Sequence, residues 1–245
     1  MKKYELTEET TNIFGKTLHR IRATRDFSNV HAGDLGGFIE NELNLSHDRD
    51  TWVYCNAWVY GESRVYGKAL VSGDARVGGK ALVGGKALVG GNAWVYGEAR
   101  VSGNALVSGD ARVEGKALVG GDARVGGKAL VSGDARVGGK ALVGGDAWVG
   151  GNALVSGNAL VYGNALVKGT RDIYWISCIG SRDGTTTFFR NANNGISVSC
   201  GCFYGTIDEF AAAVTKTHGD NEHAQAYRHA IEIAKLRIKL EDAES

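Results

Sequence analysis

Apolar positions recur every six residues through the middle of the chain, a spacing that fits neither an α-helix nor a single long strand. Twenty valines hold this register from position 53 to 167, and Ala fills the slot two before each of them from 57 to 165, with Ser63 as the substitute. Nineteen glycines follow the same period from 61 to 169, and Cys55 stands where that series would begin. Ala and Val, two apart, share one face of an extended segment, so the Leu, Arg or Trp between them faces the other way. Val favours a strand and Gly a corner, so each hexad predicts a short strand and a turn with Ala and Val inward. One hexad cannot bury its own apolar side; successive hexads must coil and stack. Inner slots filled by Val and Ala alone predict a narrow, filled tube.

Outside the repeat the pattern changes. "TLHRIRATRDF" alternates like a strand, and "HAGDLGGFIE" reads as a turn and a strand. After residue 169, "IYWISCIG", "TTTFFRN" and "ISVSCGCFYG" read as three strands joined at the turn sequences "SRDG" and "NANNG". Thr206 with Glu209 forms a capping-box sequence ahead of "IDEFAAAVTKT". Ala224, Tyr227, Ile231, Ala234 and Ile238 then stand at helical spacing and predict a second helix over 221–240. The division is therefore an N-terminal cap (1–50), the repeat (51–169) and a C-terminal α+β domain (170–245). Both flanks are expected to cover the open strand edges of the coils.

The hexads "NALVSG", "DARVGG" and "KALVGG" resemble those of left-handed parallel β-helices, in which three hexads make one triangular coil. The resemblance implies a mainly β fold of six to seven left-handed coils, roughly 30 Å long at ~4.8 Å per step. It extends to the flanks: "YELTEETTNIFGKTLHRIRATRDFSNVHAGDLGGFIENELNLSHDRDTWVY" and "SCIGSRDGTTTFF" through "VSCGCFYGTIDEF" resemble uncharacterised bacterial and phage-encoded hexapeptide-repeat proteins, some labelled transferases. What it implies is a phage-type accessory protein in the host cytoplasm that binds, and in doing so inhibits, a host defence component. Its rivals are an acyltransferase-like enzyme, and a sponge holding a small nucleotide signal between subunits.

Eighteen residues per coil sort the outward side chains into three ladders. The first is Trp52, Leu70, Leu88, Leu106, Arg124, Leu142 and Leu160, an apolar face that predicts a homodimer or homotrimer. The second is Trp58, Arg76, Trp94, Arg112, Leu130, Trp148 and Leu166, whose Trp and Arg are the types enriched at binding hot spots; Trp58, Arg76, Trp94, Arg112 and Trp148 are the expected partner-binding residues. The third alternates Arg64, Leu82, Arg100, Leu118, Arg136 and Leu154. Along one corner Glu62, Lys80, Glu98, Lys116 and Asp134 alternate in charge and are expected to pair up the edge.

Composition narrows the chemistry. The 28 basic and 27 acidic residues leave a net charge of +1, so bases stacked on Trp with Arg on phosphate rank behind a host protein or small ligand as partner. There are 37 glycines and no proline, as suits a backbone that turns often and keeps every N–H. The opening "MKKYELTEETTNIFG" has no apolar core and no run of 18 apolar residues occurs, so neither a secretory signal nor a membrane span is expected. Four cysteines are too few for a disulfide scaffold and read as reduced thiols of a cytoplasmic protein. Cys178, Cys200 and Cys202 with His218 form a weak zinc set lacking paired C-x2-C spacing, and buried thiols of the α+β core are the preferred reading. All six histidines (His19, His31, His47, His218, His223, His229) lie in the flanks, and nothing interrupts the repeat. A base on the coils, the usual need of hexapeptide acyltransferases, is therefore missing. No catalytic residue and no cofactor is expected.

Overall fold

A computed structural model describes residues 2–241. Strands β1 (Tyr4–Ile13), β2 (Lys16–Ala23) and β3 (Leu35–Ile39) come first. Two-residue strands follow at every hexad, from β4 (Trp52–Val53) to β23 (Leu166–Val167). Each but the last three pairs in parallel with the strand eighteen residues on, as Leu70 does with Leu88 and Trp94 with Arg112. Three sheets result, and the chain winds around them in about seven turns. Ala and Val of every hexad are buried, in one continuous core.

Glycine sets the corners. At Gly103 φ is +72°, and a Cβ there would lie 2.7 Å from the carbonyl oxygen of Gly121 one coil above, so two backbones meet with no room for a side chain. Cys55 takes the same left-handed conformation at φ +54°. Gly169, the last of the series, leaves it; the N–H groups of Lys168 and Gly169 turn instead to the Asp172 carboxylate, and the coil ends.

Both flanks seat on open coils. The antiparallel strands β1, β2 and β3 extend the second face, with Phe38 paired to Trp58. Asn44, fully buried, donates through Nδ2 to the carbonyls of Gly61 and Ser63 at 2.9 and 2.8 Å. Ser63 is tolerated in an Ala slot because its hydroxyl donates to Tyr60 O at 2.7 Å. At the other end β24 (Ile173–Ile179), β25 (Gly184–Arg190), β26 (Ile196–Cys200) and β27 (Phe203–Thr206) form an antiparallel sheet. Thr187 on β25 accepts from the free N–H of Leu160. Helices α1 (Ile207–His218) and α2 (Glu222–Arg237) pack on this sheet.

Several expectations need correcting. "ISVSCGCFYG" is two strands, because Gly201 (φ +59°) and Cys202 make a two-residue turn. The cysteines are not buried: Cys178 sits exposed on a bulge at φ +57°, Cys202 is exposed in its turn and Cys200 is half-buried. Along the charged corner, no pair among Glu62, Lys80, Glu98, Lys116 and Asp134 closes to an ion pair among the described residues. Rungs one coil apart form on the other two corners instead, Asn92 to Asp110 on one, and Asn104 to Asp122 with the Lys68–Asp50 ion pair on the other. The capping box at Thr206 and Glu209 forms as expected, and all five spaced apolar residues are buried, but the second helix stops at Arg237 rather than 240, with Ile238 as its extended C-cap. Among the described residues no helix is long and apolar enough to cross a membrane.

Candidate interaction face

The second ladder becomes a column because its strands pair in exact vertical register, setting Trp and Arg side chains one above another. The Arg76 guanidinium lies between two indoles, its Cζ 4.6 Å from the centroid of Trp58 and 4.9 Å from that of Trp94. Arg112 covers the other side of Trp94 at 5.6 Å. The strands of the N-terminal flank lengthen the column: Arg20 pairs in register with Phe38, and its Cζ stands 4.6 Å over that ring. Six side chains thus line up as cation, ring, ring, cation, ring, cation: Arg20, Phe38, Trp58, Arg76, Trp94 and Arg112. Sequence reasoning missed Arg20 and Phe38, since Phe38 pairs with Trp58 from outside the eighteen-residue spacing and Arg20 is set by the antiparallel register of β2 on β3.

The cations differ in what else they touch. Arg20 is spoken for: Nε lies 2.9 Å from Glu9 Oε1, at an angle short of a good hydrogen bond, and Nη1 donates to Gly36 O at 2.9 Å. Arg76 and Arg112 have no hydrogen bond or ion pair among the described residues. Their guanidinium planes are held by aromatic rings while the N–H donors stay open, which is a pre-organised fork for an acceptor. Lower down, Trp148 is held by a bond from Nε1 to Ser132 Oγ at 2.9 Å, with Lys168 5.6 Å above its ring.

Beside the column a cavity of about 320 Å³ opens between the β1–β2 turn and the corner. Phe14, Tyr60, Trp94, Tyr96, Arg112 and Glu114 line it. Phe14 at the turn is 77% exposed and Tyr96 49%. Burial pushes the Tyr60 hydroxyl above its usual range, reinforced by Tyr96 and opposed by Arg76. No histidine lines this cavity.

The first ladder is less continuous than its sequence suggests. Trp52 is 1% exposed, covered by the N-terminal flank, with Phe27 at 5.3 Å and Tyr4 at 6.2 Å edge to face. It drops out of any oligomer surface and belongs to the core. Leu70 packs partly against that core, and the C-terminal sheet meets the backbone of Leu160. What stays open is Leu88, 43% exposed, with half-buried Leu106 and Leu142 around exposed Arg124.

The cysteine and histidine candidates do not converge. Cys200 accepts from Thr186 Oγ1 at 3.1 Å and points its thiol at the Tyr227 hydroxyl, whose pKa burial and Cys200 push up to about 12. His218 instead faces His223 and Tyr227, with ring centroids 5.8 Å away in both cases. Among the described residues no three His, Cys, Asp or Glu side chains gather as a metal-holding group.

Residues 99–115 match the model of the YdcK beta-solenoid repeat. The chain is a hexapeptide-repeat β-solenoid. No curated protein matches this β-solenoid chain.

Proposed function

We propose that this β-solenoid is a non-catalytic interaction scaffold that holds a partner protein on the Trp–Arg column. One observation carries the reading: Arg76, gripped between Trp58 and Trp94, offers open donors on a flat face beside an aromatic cavity. Ordering the guanidinium before binding removes an entropy cost that a free Arg would incur at the moment of contact. Phe14 and Tyr96 add exposed rings of the kind that anchor protein interfaces. Both faces of Trp94 are already taken by Arg76 and Arg112, which leaves it poorly placed to stack a nucleic-acid base. Within this reading the resemblance to phage-encoded chains makes the partner a host protein, such as a defence component. Self-association is proposed through Leu88, Leu106 and Leu142.

The test is site-directed photocrosslinking in bacterial cells. A crosslinker at position 112, on the column, should capture one partner chain, and the same group at position 118, on the third face, should not. Equal capture from both positions, or from neither, sinks the proposal.

A further inference from the structure

A second region, at the N-terminal end and away from the column, concentrates unpaired positive charge around two adjoining hollows. The larger, about 580 Å³, is walled by Tyr66, Lys68 and Lys86 on successive coils and by Ser46, Asp48 and Arg49 from the loop above them. The smaller, about 500 Å³, is walled by Lys2, Arg25 and His47, and shares Asp48 and Arg49 with the first. Five cations against one carboxylate therefore line the pair. Glu42 neutralises Lys2 at 2.5 Å and Asp50 neutralises Lys68 at 2.9 Å. Arg25, Arg49 and Lys86 have no ion pair among the described residues.

Arg25, Arg49 and Lys86 are all exposed, so their donors are open to a ligand. Lys3, fully buried just behind, carries its ammonium on Thr51 O at 2.6 Å, and Arg25 adds like-charge repulsion to the burial that already lowers its pKa to about 8. His47 is stacked on Tyr4 at 4.3 Å, and its Nε2 is buried without a hydrogen bond. Arg49 is held at the ridge between the hollows in a left-handed conformation, φ +56°. Tyr66, 45% exposed, lies so close over Gly84 that a methyl there has no room. One glycine thus sets a flat aromatic ring at the edge of the basic hollow.

We propose that these two hollows form one binding site for a small molecule bearing two or more phosphate groups, with Arg25, Arg49 and Lys86 as its anion ligands. Guanidinium groups suit bidentate contact with phosphate, and the ammonium supplies a point charge. Two adjoining hollows of about 580 and 500 Å³ match the size of a small ligand. Nucleotides and inorganic oligophosphates share this chemistry; Tyr66 is the group that would tell them apart by stacking a base. Asp48, the one carboxylate in the lining, works against the ligand.

The full chain is titrated calorimetrically at low salt with ATP, with tripolyphosphate and with a twelve-nucleotide single strand. Saturable binding of one ATP or tripolyphosphate per chain is expected. Arg49→Ala and Lys86→Ala should each weaken it tenfold or more, and Asp48→Asn should tighten it several-fold. Should Arg49→Ala disturb folding, read by its melting temperature, Arg49→Gln takes its place. Tighter binding of ATP that Tyr66→Ala brings down to the tripolyphosphate level marks the ligand as a nucleotide; equal binding marks an oligophosphate. The proposal is overturned by no saturable binding, by Arg49 and Lys86 variants that bind as wild type, by weaker binding in Asp48→Asn, or by an oligonucleotide that binds more tightly than both small ligands.

Discussion

At Gly103 the argument for the repeat reduces to one hydrogen atom. Its positive φ, and the mere 2.7 Å that a Cβ would leave to Gly121 O, forbid a methyl group, so Gly103→Ala should cost roughly 1–3 kcal/mol in urea unfolding. An unchanged midpoint would mean that the corners are looser than described. Lys3 makes a different claim, about pH. Its ammonium has an ordinary value of 10.5 and is lowered to about 8 in the folded chain, chiefly by burial. Between those values the unfolded chain binds more protons, so stability should rise with pH, by about 2 kcal/mol from pH 8 to 10. The Tyr4 hydroxyl, whose ordinary value of 10.0 burial raises, acts the other way: above pH 10 the unfolded chain ionises first and stability falls. Denaturation across this range should thus show a maximum near pH 10, and Lys3→Met should lose the rising limb. Residue-level legibility was high where one slot repeats, as with Ala and Val, and low for Trp52. Its slot reads outward, and only the folded N-terminal flank, through Phe27 and Tyr4, buries it.

Among elements, the flanks do the least visible work. Asn44 closes two carbonyls of the first coil from a buried position, and Asn44→Ala leaves both without a donor. A loss of roughly 2–3 kcal/mol is expected, read as an earlier melting transition. A variant as stable as wild type would show that water serves those carbonyls as well. Thr206→Ala removes the cap of α1, where the side chain accepts from Glu209 N at 3.2 Å, and should cost about 1 kcal/mol. The helices were readable because capping and spacing are local. Strand β1 was not: "YELTEETTNI" is mostly polar, and the irregular register between Leu6 and Thr10 breaks its alternation. Nor was the β26–β27 turn, since Gly201 and Cys202 lie inside an otherwise unbroken strand-like run.

For the whole molecule, stacked hexads fix a frame by their inward Ala and Val, so most outer side chains between the flanks are free to specify a partner. Trp58, Arg76, Trp94 and Arg112 could be read from the eighteen-residue spacing, because parallel in-register pairing turns spacing directly into contact. Arg20 and Phe38 could not, because they lie outside the hexads and are set by the pairing of β3 with β5 and of β2 with β3. In the proposed function the column binds as one unit, centred on Arg76 and Arg112, the cations without a hydrogen bond or ion pair among the described residues. Native mass spectrometry of the gently purified chain, beside an Arg76→Ala/Arg112→Ala variant, tests this most directly. The account predicts a partner chain bound to the wild type and absent from the variant, with the same number of 25.9 kDa subunits in both. A partner retained by the variant, or none on either protein, would contradict it.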